Sequence, residues 1–186
     1  YGIRWMETYD LRDTPHGDGP YSSYDDLFTY QGDLGPGEHP FGDRYARRMV
    51  TMQIDPGTLL WQLTADFQLA GGKFVIRNFA DRDEVLALRE YVVFNCTGLG
   101  AAALFGDEDL VPAKGQLVFL PPDPAVDYMT FGGGDNGEHG FLHMFPRSDV
   151  LLLGGIFKLG DSSVHVEDDE TRRIVEEHRK LFDSFG

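Results

Sequence analysis

At 186 residues, with 41% hydrophobic and 13% aromatic content, the chain has the composition of a folded globular protein, long enough for one substantial core or parts of two domains. Its 31 Asp and Glu against 16 Lys and Arg leave a formal net charge of −15, which repels phosphate backbones and anionic lipid and argues against nucleic acid or membrane partners. A single cysteine, Cys96, cannot form an internal disulfide and favours a reducing, cytoplasmic setting; without a run of about 18 apolar residues or a basic-then-apolar leader, neither a membrane span nor a signal peptide is expected.

The chain opens on Tyr1 rather than Met, and residues 1–6 read as a strand already under way, so an N-terminal portion is expected to be missing or supplied by a companion chain. Residues 7–48 are rich in Gly, Pro and Asp, with scattered aromatics. Few regular elements are expected there, and a loop of this length serves as surface or as a lid over a site. Arg47 and Arg48, with Arg44, form a basic cluster in an acidic protein. They are candidates for a substrate carboxylate or phosphate, against the commoner fate of a solvated or salt-bridged charge. Residues 51–54 suggest a strand. A helix follows with clear punctuation, with Asp55 at its cap, Pro56 at its first position and Gly71-Gly72 as its stop; Leu59, Leu60, Leu63, Phe67 and Ala70 would form its core face.

Residues 73–79, rich in Phe, Val and Ile, predict a strand, and residues 81–90 a short helix with Val85, Leu86 and Leu88 inward. Residues 91–94, Tyr-Val-Val-Phe, predict a buried strand that ends at Asn95, Cys96, Thr97 and Gly98, before an Ala- and Leu-rich helix over 98–105 and a strand over 115–120. Strand, turn and helix in that order place the Thr97-Gly98 backbone where open α/β sheets contact phosphates or cofactors. Cys96 reads as a small apolar residue, with no basic neighbour to activate it.

Beyond the Pro-rich stretch 121–124 the pattern changes. Segments 127–131, 140–145 and 150–157 predict an antiparallel sheet, the latter two turning at 146–149, and 168–182 an amphipathic helix with Ile174, Val175, Leu181 and Phe182 on one stripe. At strand periodicity His139, Phe141, His143 and Phe145 share a face. They read as a pocket wall or as structural histidines. One ion held by both imidazoles is disfavoured, since residues four apart on a strand lie about 13 Å apart.

Three pieces, Asn95-Cys96-Thr97-Gly98, Pro112-Ala113-Lys114-Gly115-Gln116 and Leu153-Gly154-Gly155-Ile156-Phe157, stand in order and at compatible spacing. Together they resemble the D-amino-acid oxidase family of FAD-dependent oxidoreductases. The resemblance implies an α/β (mixed α+β) fold: a partial, parallel FAD-binding portion over 51–121 and an antiparallel substrate-binding portion over 122–186, preceded by an irregular segment over 1–50. It implies FAD as cofactor, oxidation of a small-molecule amine or amino acid by hydride transfer to flavin, and cofactor contacts at Arg77, Phe79, Asn95, Cys96, Thr97 and Gly98. A substrate pocket is implied around His139, Phe141, His143 and Gly155, with Arg47, Arg48 or Arg147 as alternative carboxylate partners. Here His139 and His143 stand where the family carries two substrate-facing Tyr residues. No Gly-x-Gly-x-x-Gly turn precedes Asp55, and the family's carboxylate-binding Arg falls beyond the chain's last residue. The rival expectation is a non-catalytic fragment or binding domain without FAD; a metal hydrolase using Asp135, His139 and His143 is weaker.

Overall fold

The structure, a computed structural model, describes residues 1–17, 28–134 and 142–183. Its centre is one seven-stranded mixed sheet in the order β2-β3-β1-β6-β7-β8-β5, with helices attached, so the fold is of the mixed α/β class. β1 (Ile3–Arg12) and β3 (Tyr45–Ile54) pair antiparallel along their full length, and β2 (Thr29–Leu34) extends that edge. β6 (Tyr128–Gly132) lies parallel to β1, joining the N-terminal strands to an antiparallel run of β6, β7 (His143–Pro146), β8 (Leu151–Gly154) and β5 (Leu117–Leu120).

Strand alternation divides the sheet into two faces. Tyr9 and Leu11 of β1, Ala46 of β3 and Tyr128 of β6 point to one side, where they pack with Phe41 and Leu181. Met144 and Leu153 continue that side and meet Ile156 and Ile174. The cover is helix α4 (Asp168–Phe182), whose Ile174, His178 and Leu181 are buried. The expected stripe holds at Ile174 and Leu181. Val175 is only half-buried, and His178 takes the place facing the sheet, one turn from Ile174.

The start of α4 is tied to the β5 side by Gln116. Its amide donates to Glu167 O (3.0 Å) and Thr171 Oγ1 (2.8 Å), and its carbonyl accepts from Glu167 N (2.9 Å). Lys114, of β4 (Ala113–Lys114), and Lys158, of β9 (Lys158–Leu159), close on the Glu167 carboxylate at 2.7 and 2.6 Å and hold its pKa below the usual range.

Helix α1 (Pro56–Leu69) forms where its punctuation predicts, but none of its residues is buried: of the expected core face of Leu59, Leu60, Leu63, Phe67 and Ala70, Phe67 meets the Phe74 ring edge to face at 5.0 Å, and the face does not become part of the core. Residues 73–79 and 91–95 are likewise corrected. They run without joining any described ladder, with Val75, Ile76, Tyr91 and Phe94 each more than four-fifths exposed. β-Branched and aromatic residues favour a pleated, half-buried surface, and without neighbouring strands there is none to form. Between them α2 (Arg82–Leu86) buries only Val85, and Leu86 points outward. The expectation of few regular elements over 7–48 is also revised: β1 runs to Arg12, β2 spans Thr29–Leu34 and β3 begins at Tyr45.

Candidate functional site

The second face of the sheet carries a cavity of about 610 Å³. Asp10 and Arg12 of β1, Met49, Thr51 and Gln53 of β3, Met129 and Phe131 of β6 and Phe145 of β7 line it, with Phe28 at its side. Period-two alternation explains why these positions meet: each lies on the face opposite the residues that pack under α4, and the register sets Asp10 beside Phe131 and opposite Arg47. Phe131 and Phe145 touch edge to face at 5.0 Å between centroids. Gly132, at φ 76°, ends β6 where a Cβ would collide with the Leu11 carbonyl, so the crossing of β6 and β1 at the cavity rim requires glycine.

His143 shares the face of Phe145, as alternation predicts, and its ring lies against Phe145 at 5.0 Å and 31°. It stands opposite Gly154, and its imidazole occupies the space a Gly154 side chain would fill. His139 and Phe141, and Asp135 with them, lie outside the described residues. Gly155 is buried on the α4 side, where its carbonyl accepts from Arg173 Nη2 at 2.6 Å and a Cβ would press on Leu142.

The three arginines considered for a substrate carboxylate are all in ion pairs. Arg47 is buried, donates through Nε and Nη2 to both oxygens of Asp33 at 2.8 and 2.9 Å and to Gly17 O at 3.0 Å, and lies over the Tyr30 ring. Arg48 is on the α4 face, paired with Glu7. Arg147 reaches Asp55 at 3.3 Å, and the Ser148 hydroxyl donates to the same carboxylate at 2.5 Å. Ser148 first, with Arg147 and the Thr58 and Gly57 amides adding, holds the buried Asp55 below its ordinary pKa against the cost of desolvation. Asp55 thereby fixes the start of α1 to the β7–β8 turn.

Arg12 is the cation that lines the cavity. It donates through Nη2 to Asp10 Oδ2 at 3.0 Å. Beside Asp10, the enclosed His16 ring meets the Asp10 carbonyl through Nε2 at 2.9 Å, and burial pushes its pKa down. Sequence reading missed Asp10 and Arg12. The signal was there in their i, i+2 spacing, but it pointed to nothing until the facing strands were placed.

The second candidate region is the turn at 95–98. Asn95 Oδ1 accepts from the Thr97 amide (3.2 Å) and hydroxyl (2.7 Å), closing a small Asx-type turn before the short helix α3 (Gly100–Phe105). Cys96 is an exposed free thiol, and Gly98 adopts φ 55° with nothing within 4 Å of where a Cβ would stand. Arg77 stacks its guanidinium over Phe79 at 4.8 Å on the same exposed stretch of chain that includes Ile76. No His, Cys, Asp and Glu cluster able to hold a metal occurs among the described residues, and no helix among them is long and apolar enough to cross a membrane.

Comparison with known proteins gives the family. Residues 34–186 match the family model described as FAD dependent oxidoreductase (DAO). A D-amino acid oxidase of Dugesia ryukyuensis is 29% identical over 111 residues, 59% of this chain and 31% of its own length. A D-amino-acid oxidase of Streptomyces coelicolor is 36% identical over 102 residues, 55% of this chain and 30% of its own length. A D-aspartate oxidase of Homo sapiens is 28% identical over 132 residues, 70% of this chain and 36% of its own length. The chain thus spans about a third of the length of the curated relatives it matches. With its motifs in order and the family model covering all but the first 33 residues, the chain belongs to the DAO family of FAD-dependent oxidoreductases, whose cofactor is FAD.

Proposed function

We propose that this chain supplies the substrate cavity and part of the cofactor surface of a flavin-dependent oxidase acting on a D-amino acid or related amine. The observation that carries the reading is the cavity itself, an apolar chamber on the free face of the sheet, most of whose wall comes from the segment that matches the family model. Its mostly apolar lining with few polar groups is the usual composition of a small-molecule site. His143, against Phe145, would shape the wall beside that chamber, with His139 and Phe141 further candidates on the same segment, while Gly155 would support it from the α4 side. Arg47 and Arg48 contribute through their ion pairs, by fixing β3; Arg47, on the cavity face, would meet a substrate carboxylate only after exchanging Asp33 for it, and Arg48 faces α4.

The residues present fit FAD at the 95–98 turn: the chain there is open, Gly98 leaves room for a close approach, and the amides after Asn95 are on the surface. Asn95, Cys96, Thr97 and Gly98 would hold the dinucleotide, with Arg77 and Phe79 beside it. When bound, FAD supplies the two-electron acceptor for amine oxidation. The chain's own task is to orient the substrate on an apolar wall and to exclude water from it. Residues 51–121 would form part of the cofactor domain and 122–186 the substrate portion. The extended, unpaired segments 73–79 and 91–95 would take ladder partners from a further strand-bearing segment of the same polypeptide or from a companion chain.

Titration of the purified protein with FAD tests this, read by quenching of flavin fluorescence and by visible absorption after gel filtration. Saturable binding that is weakened by Thr97→Pro is the expected outcome. A colourless protein that cannot be reconstituted favours a binding domain without FAD.

A further inference from the structure

The polar end of the cavity carries an arrangement that composition would not suggest. In a protein of net charge −15, the ionised groups that the described residues place on this wall are one acid and one base side by side. Arg12 Nη2 donates to Asp10 Oδ2 at 3.0 Å, and no described residue donates to Asp10 Oδ1 or accepts from the other Arg12 nitrogens. Of the neighbouring groups, Arg47 is paired with Asp33, and the enclosed His16 ring bonds the Asp10 carbonyl rather than its carboxylate. Next to the pair stand Phe28, Met49, Phe131 and Phe145, an apolar channel.

Resting on the reading above, we propose that the Asp10–Arg12 pair selects substrates whose side chain ends in a primary carboxamide. A carboxamide offers a carbonyl to a spare guanidinium N–H and an NH2 to Asp10 Oδ1, so both halves of the pair gain a partner and neither loses one. A carboxylate placed there gains Arg12 but meets Asp10 at like charge. An ammonium gains Asp10 and meets Arg12. A terminal methyl leaves the partners of a partly desolvated ion pair unsatisfied. A neutral, dipolar terminus is therefore the one that suits a net-neutral pair.

The probes are hexanamide, hexanoate and pentylammonium, which share one pentyl tail and need neither FAD nor an amino-acid head group. Binding to the purified chain is measured by titration calorimetry or protein-observed NMR. Hexanamide is expected to bind about tenfold more tightly than either ion, the factor that a hydrogen bond to a charged group supplies. Asp10→Asn leaves Arg12 as an unbalanced cation and shifts the order towards hexanoate; Arg12→Met shifts it towards pentylammonium. The proposal is overturned if hexanamide fails to bind, if the three probes bind within about twofold of one another in the unaltered protein, or if neither variant changes the order. These outcomes are separable from the cofactor reading: hexanamide selectivity in a chain that takes up no FAD sinks the oxidase reading and leaves the pair's specificity standing, and the reverse result does the opposite.

Discussion

Gly154→Ala is the perturbation that tests the cavity wall most directly. The Gly154 backbone is opposite His143 in the β7–β8 ladder, and a Cβ built on it would lie 2.9 Å from His143 Cδ2 and closer still to Nε2 and Cε1. Real carbon contacts begin near 3.4 Å, so the imidazole must leave its seat, breaking its ring contact with Phe145 and pressing on a residue that lines the cavity. Overpacking of this kind costs about 1–3 kcal/mol. The backbone itself is no obstacle, because Gly154 has no positive φ and alanine in a strand is intrinsically the better residue. The sign therefore depends on His143 alone. In a His143→Ala background the added methyl has an empty seat, and Gly154→Ala should become neutral or slightly stabilising. Urea unfolding of the four proteins with a common m-value gives the cycle, and a coupling of at least about 1 kcal/mol is expected. If Gly154→Ala costs less than about 0.5 kcal/mol, or the same in both backgrounds, His143 is not seated where the structure puts it.

Asp33→Ala should destabilise by about 1–3 kcal/mol, less than the 3–5 of a fully buried pair because water reaches Asp33, whose side chain is 37% exposed. Asp33→Asn, which keeps an acceptor for Arg47, should lose less, and equal losses in the two variants would show that the ion pair is not what holds β2 to β3. Stability should also fall as pH drops below 6.5. Burial is the largest influence on His178 and depresses its folded pKa below that value, so the unfolded chain takes up a proton that the folded chain resists. The contribution is complete above pH 6.5 and is lost towards the lower folded pKa; His16, depressed for the same reason, adds to it. His178→Phe should flatten the slope of the urea midpoint between pH 6.5 and 5, and an unchanged slope would refute the assignment.

What the sequence disclosed about the fold was what local chemistry decides. Asp55, Pro56 and Gly71-Gly72 bracket α1 because capping and chain reversal are settled within a turn, and the β6–β7–β8 run follows from alternation broken by short turns. The inward face of α1 was not legible, because periodicity says which side is apolar and nothing about whether a partner is there. The same holds for residues 73–79 and 91–95, whose β-rich composition is that of strands awaiting neighbours. His178 escaped notice because a histidine breaks an apolar stripe on paper. In the structure its Nδ1 and Nε2 face the carbonyls of Ile174 at 2.8 Å and His143 at 3.2 Å, and the one N–H of the neutral ring donates to one of them, which gives it a partner in the core.

The cavity required a non-local fact. Asp10 and Arg12 stand on one face of a strand in any reading that makes 3–12 a strand, and the match of Asp10 to Arg47 across β1 and β3 is a favourable charge pairing. Neither observation makes a chamber. That comes from the parallel pairing of β1 with β6, more than a hundred residues apart in sequence, which sets Asp10 beside Phe131 and brings Phe131 to within ring contact of Phe145. The sequence motifs marked the turn at 95–98, the proposed cofactor contact, where backbone would do the binding and short spacing is informative. Substrate selection falls to side chains assembled by strand order, and two of the polar ones, Asp10 and Arg12, lie before residue 34, outside the stretch that matches the family model. Family likeness therefore bears on the proposed reaction class more than on the substrate, and the Asp10–Arg12 pair is where this chain's own preference would be read.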